Sequence, residues 1–198
     1  MNNAKKLSFV TLLVLLLSST STADAYKLDG RIWTSTTNAK SITAYSVNIP
    51  STYIAKINNS LSDWDLLPGS SLNTGTVNYT SSLAVFDNAK FTITRLDVQS
   101  MFGSQAPAIT FSVVGGNSSQ IYLDDSWAWS AYFDESAKIG HLRTVVTHEL
   151  GHSWGIAHPW TRTDPNMTAA ERASVMNATM TVKYTPNSDD IAAMAAMY

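Results

Sequence analysis

Three of the four histidines in this 198-residue chain fall within eleven consecutive positions, His148-Glu149-Leu150-Gly151-His152-Ser153-Trp154-Gly155-Ile156-Ala157-His158. On a helix, His148 and His152 stand one turn apart and present their rings on the same side, a pair suited to Zn2+. Glu149 follows His148 directly, so it points near the metal without needing to bind it. From there it can take a proton from a water that the metal activates. A third ligand from the next helical turn would strain a tetrahedral site. Gly155 offers another route, because a glycine can take the left-handed conformation that ends a helix and turns the chain back. His158 then reaches the ion from the other side. Three neutral imidazoles leave one position open for water, the ligand set of a catalytic zinc rather than a structural one.

The composition narrows what else the chain can do. It has no cysteine, which excludes a thiol nucleophile, a disulfide scaffold and any Cys-ligated metal. Thirteen basic against fifteen acidic residues, net −2, exclude nucleic-acid binding by bulk charge and give no support to a polybasic membrane surface. With 44% hydrophobic residues and so little net charge, intrinsic disorder is excluded as well. The length suits one domain with a real core.

The motif needs a helix, and the pattern over residues 139–154 predicts one, with Leu142, Val146 and Leu150 on one apolar face. Upstream, residues 42–49 alternate as a strand ended by Pro50. Ser51 then caps a helix with the stripe Ile54, Ile57, Leu61 and Trp64. Residues 68–82 read as loop; 91–98, 108–114 and 120–123 read as strands. Residues 155–187 are mostly irregular, and 188–198 form a last helix with Asp189 and Asp190 at its N-terminus. Strands with one early and one late helix give an α+β fold. At the N-terminus, Lys5 and Lys6, the apolar run 7–17 and Ala23-Asp24-Ala25 follow the order of a secretory signal peptide cleaved after Ala25. The expected organisation is residues 1–25 as signal peptide, 26–41 as N-terminal extension and 42–198 as one domain. The protein is then secreted, with no membrane anchor after cleavage.

The eleven-residue motif is similar to the zinc motif of metzincin peptidases, which carry a methionine turn beneath the metal. Ser174-Val175-Met176 resembles that turn, with Met167 and Met180 as alternatives. Residues 145–158 resemble the active-site helix, and 187–198 the last helix, of the matrixins (the matrix metalloproteinase family). The resemblance implies a twisted mixed sheet and an active-site helix over a smaller, irregular C-terminal subdomain ending in a helix. It implies one catalytic zinc on His148, His152 and His158, with Glu149 as general base and acid in a zinc endopeptidase. An extended polypeptide substrate would lie beside an edge strand, here within residues 120–129. Calcium is a further possible cofactor, with Asp124, Asp125, Asp134 and Glu135 as candidate ligands. No nucleic-acid partner is expected, and the protein is expected to be a monomer.

The departures from the family pattern are specific. His141 is the only histidine left, too few for the structural zinc site of matrixins, so a surface or helix-capping place is expected for it. Tyr184 reads as a wall residue, with an oxyanion-stabilising role as the alternative. Trp127, Trp129 and Trp160 read as packing residues, with a cleft rim as the alternative. The usual cysteine latency switch is impossible, which leaves Asp29 as a candidate plug released by cleavage after Arg31. Asp189 reads as a helix-dipole residue, with pairing to a mature N-terminal ammonium as the alternative. The rival to the enzyme is a secreted, non-catalytic zinc-containing binding protein on the same fold.

Overall fold

The apolar alternations build a five-stranded sheet in the computed structural model, which describes residues 26–29, 33, 40–87, 89–112, 118–159 and 165–198. The signal-peptide stretch, Arg31 and Trp160 lie outside the described residues. In chain order the elements are β1 (Lys27–Leu28), β2 (Lys40–Tyr45), α1 (Ser51–Asp63), β3 (Thr74–Thr80), α2 (Leu83–Asp87), β4 (Phe91–Leu96) and α3 (Val98–Phe102). They continue as β5 (Ala108–Ser112), β6 (Ser119–Asp124), β7 (Ala128–Ser130), β8 (Ile139–His141), α4 (Leu142–Trp154), β9 (Ile156–Ala157), α5 (Ala169–Ala173) and α6 (Ser188–Met197).

The sheet order is β3-β2-β4-β6-β5, with four parallel strands and only β5 antiparallel to its neighbour. Parallel strands carry dense apolar side chains because helices cover them. Ile42, Ala44, Ile93, Ile121 and Leu123 accordingly form one core with Ile57, Leu61 and Trp64 of the α1 region and Val145, Val146, Leu150 and Trp154 of α4. The Trp64 indole donates to the Thr147 carbonyl at 2.9 Å, locking the end of α1 onto α4. Trp33 belongs to the same core and its indole donates to the Ser153 carbonyl at 2.8 Å. Beside it, β1 pairs antiparallel with β9, Lys27 opposite Ala157.

Five elements differ from the sequence reading, each for a local reason. Residues 74–80 form β3 rather than loop. This strand takes only one neighbour in the sheet, so its polar composition is tolerated. Side chains of α1 and its exit loop satisfy part of its free edge: Asn58 Oδ1 accepts from Val77 N at 2.8 Å and Asp65 Oδ1 from Thr74 N at 2.7 Å. β2 stops at Tyr45 because Ile49 N closes a turn onto Tyr45 O at 2.9 Å, and the Asn48 amide donates to Arg95 O at 2.7 Å. The strand at 91–98 stops at Leu96 because the Asp97 carboxylate accepts from Ser100 N and starts α3. The expected helix at 139–154 begins only at Leu142. Residues 139–141 pair with β7, and the Pro50–Ser51 start of α1 likewise lacks the side-chain cap expected from Ser51.

Candidate metal centre

α4 positions the first two histidines, and its end positions the third. His141 caps the helix: its Nδ1 accepts from Thr144 N at 3.2 Å. Gly155 ends it at φ +102°, a left-handed conformation that a side chain would disfavour. The reversal carries the chain through β9 to His158.

The ring orientations are set by backbone carbonyls. His148 Nδ1 donates to Val175 O at 2.7 Å, and His152 Nδ1 donates to Ile156 O at 2.8 Å. A carbonyl only accepts, so in both rings the proton sits on Nδ1 and Nε2 presents a lone pair. Those two Nε2 atoms face His158 Nε2 at 2.9 and 3.2 Å. One proton on His158 can satisfy one of them and not both, whereas a cation satisfies all three. Zinc–nitrogen bonds of ~2.0–2.1 Å in a tetrahedron separate the nitrogens by about 3.3 Å, close to the spacing here. The donor set therefore fits zinc. Among the described residues this triad is the one group of three or more histidine or carboxylate ligands close enough to share an ion. The four carboxylates considered for calcium do not gather into such a group. Burial and the two neighbouring rings hold His148 well below the usual histidine range, and burial lowers His158; both favour the neutral, ligating form.

Glu149, only 3% exposed, faces the same cleft as the triad. Burial pushes its pKa up to about 7, against the opposing pull of a hydrogen bond from Thr110 Oγ1 to its Oε2 at 2.7 Å. The cleft is about 610 Å³. β5 contributes Ala108, Ile109 and Thr110 on one side, and Ala178 and Met180 stand on the other. β5 is the sheet edge that borders the cleft, β3 being the far one, so the edge strand beside the site lies at Ala108–Ser112 and not within residues 120–129. β6 occupies much of that range, and β4 and β5 take both of its edges.

Met176 lies beneath α4 and is 1% exposed. A Cβ on Gly151 would fall on the Met176 sulfur, so the two residues fit together only because position 151 has no side chain. Met167 and Met180 lie elsewhere: Met167 Sδ contacts the Asn177 amide at 3.5 Å and Met180 lines the cleft. The turn at 174–176 is held from α6. Asp190 accepts from Ser174 Oγ at 2.6 Å and Val175 N at 3.0 Å, and Ser174 Oγ accepts from Met176 N at 2.8 Å. The sequence pattern marked Asp190 only as a helix-start charge; its bracing of this turn was not visible there.

Asp189 next to it stands in the first turn of α6, where a helix-dipole residue was expected, but its surroundings oppose its charge. Burial, then the charges of Asp190 and Glu171, push its pKa up to about 6. The folded chain therefore takes up a proton here as pH falls between about 6 and 4, and this carboxylate disfavours the fold above that window. Asp189→Asn should be more stable than wild type at pH 7.5, by about 1 kcal/mol once solvent screening is allowed for. The gap should narrow as pH falls below about 6 and close only near pH 4, and denaturant midpoints at several pH values across that window check it.

Two roles weighed as alternatives in the sequence find no support in where their residues stand. Tyr184 stacks on His141 at 5.7 Å, and the Arg143 guanidinium lies over its ring at 3.9 Å, so it is locked beside the start of α4 rather than poised for an oxyanion. Tyr184→Phe should leave kcat within about threefold of wild type in a peptide-cleavage assay; a hundredfold loss would restore the oxyanion role. Asp29 does not line the cleft. Its N–H donates to Gly155 O at 3.0 Å, and its charge acts on Tyr198, whose hydroxyl donates to Trp154 O at 2.7 Å. That places it at the end of α4, away from the lining of the cleft. Trp127 is buried and Trp129 packs against the core, as the packing reading expected.

A sequence model of the matrixins matches residues 88–198, more than half of the chain and the part that carries α4, the triad, Met176 and α6. The chain belongs to the matrixin family. The mixed five-stranded sheet and the six described helices of this matrixin agree with the metzincin fold. Membership supports a zinc metalloprotease-type function acting on peptides, with the histidine triad as a place able to hold the metal. No curated protein matches the matrixin's sequence. Among its described residues, no helix is long and apolar enough to cross a membrane.

Proposed function

We propose that this matrixin is a secreted zinc endopeptidase in which His148, His152 and His158 hold the ion and Glu149 is the general base and acid. The observation that carries the reading is the convergence of three Nε2 atoms, two of them with the opposite ring nitrogen pinned to a carbonyl, beside a buried carboxylate on one cleft. Zinc bound there would supply Lewis acidity to the scissile carbonyl and to the attacking water. Glu149 takes the proton from that water and returns it to the leaving amine, so one carboxylate serves both halves of the reaction. β5 offers its open edge to an extended polypeptide, whose main chain adds as a further strand. Gly155 and Met176 serve the metal indirectly, the first by turning His158 inward and the second by packing under α4.

Secretion rests on the basic, apolar and small-residue order of residues 1–25. Residues 42–198 then form the catalytic domain, and the extension at 26–41 packs onto it through β1 and Trp33. Incubation of the zinc-loaded protein with a broad peptide mixture, read by mass spectrometry, tests the activity. Internal cleavages abolished by a chelator are expected. Bound zinc without any cleavage would favour the rival binding protein.

A further inference from the structure

Thr110 is the third residue of β5, the strand proposed to receive substrate. Strand alternation turns it toward α4, while its neighbour Phe111 is 47% exposed. Its Oγ1 lies 2.7 Å from Glu149 Oε2 and 3.1 Å from the Glu149 carbonyl oxygen. Ser153 Oγ donates to the same carbonyl at 3.1 Å and accepts from Ser119 Oγ at 2.9 Å, and Ser119 in turn meets Ser112 Oγ on β5 at 2.9 Å. Hydroxyls from β5 and β6 thus brace the helical turn that carries the carboxylate, and Thr110 alone among them reaches the carboxylate itself.

We propose that Thr110 is a positioning residue for catalysis, fixing the Glu149 carboxylate through Oε2 and tying it to the edge strand on which substrate lies. The proposal rests on the reading of Glu149 as general base. A hydroxyl suits that task because the base is a carboxylate in one step and a carboxylic acid in the next. With Glu149 ionised, Thr110 donates to Oε2. With the proton taken from water on the other carboxyl oxygen, Oε2 remains an acceptor and Thr110 still donates to it. Both states keep this hydrogen bond, with no rotation of the glutamate. Valine has nearly the same shape and strand preference but can donate in neither.

The test compares T110V, T110S and E149Q for kcat and KM on a fluorogenic peptide, for zinc affinity by chelator competition and for melting temperature. T110V is expected to lower kcat about 10–100-fold, in the range seen when a supporting hydrogen bond is removed from a functional group. Its KM should change by less than about threefold, with zinc affinity and melting temperature near wild type. T110S should recover kcat to within about threefold of wild type. If T110V does not fold, T110A against T110S makes the same comparison. A kcat for T110V within twofold of wild type would overturn the proposal. So would a T110S as impaired as T110V, or a loss that follows zinc affinity. Full activity in E149Q would instead remove the base assignment on which the proposal stands, a result distinct from failure at Thr110 alone.

Discussion

Glu149→Ala is expected to bind zinc as wild type does and to lose roughly 10²–10⁴-fold or more in kcat, the contribution of a well-placed general base. The zinc expectation follows from the ligand set: the three atoms that converge are imidazole nitrogens, and Glu149 is not among them. The folding expectation follows from its partner. Thr110 loses the carboxylate, yet its hydroxyl still has the carbonyl of residue 149 at 3.1 Å. Truncation also removes a carboxyl whose pKa burial has pushed up to about 7, so no uncompensated charge is left behind. Metal analysis and peptide turnover on the same preparation separate the two effects. Normal turnover by the alanine variant would end the proposed mechanism.

The second large effect is expected at Gly151, where no chemistry occurs. A methyl group there would overlap the Met176 sulfur and approach the Trp64 ring at 3.1 Å. Alanine is worth about 1 kcal/mol over glycine in a helix interior, but overpacking a filled core costs about 1–3 kcal/mol. Met176 and Trp64 are both buried, so the strain is expected to win and the variant to be destabilised. The displaced turn also contains Val175, whose carbonyl holds His148 Nδ1. Gly151→Ala should therefore weaken zinc binding by about 10–100-fold, as loss of a ligand's supporting hydrogen bond does. Chelator competition and denaturant unfolding measure the two losses. A variant that is more stable than wild type and binds zinc equally well would show that the turn beneath α4 does not couple to the metal.

The site was legible in the sequence because its spacing is local. His148 and His152 share one helix face, and Gly155 and His158 follow within six residues, so helical geometry and one left-handed turn suffice to bring the ligands together. What was not legible depends on tertiary contact. Thr110 is a threonine within an apolar strand, and nothing in its surroundings along the chain marks it as the partner of a residue thirty-nine positions on. Asp190 stands fifteen residues from the Val175 amide that it accepts from, and its sequence context suggested only a helix start. The open edge was misplaced for a similar reason. Residues 120–124 have strand character, but only the sheet order reveals that β5 folds back antiparallel outside β6 and takes the free edge. β3 was missed because a sheet edge tolerates Gly, Thr and Asn when side chains such as Asn58 satisfy its amides.

The proposed peptidase activity of this matrixin depends on one ion held by His148, His152 and His158. Its most direct test is titration of chelator-stripped protein with zinc while peptide cleavage and bound metal are followed together. Cleavage is expected to rise in proportion to bound zinc and to level off at one ion per chain. Zinc that fills the site to that stoichiometry, in the wild-type protein but not in His152→Ala, with no cleavage of any peptide, would contradict it.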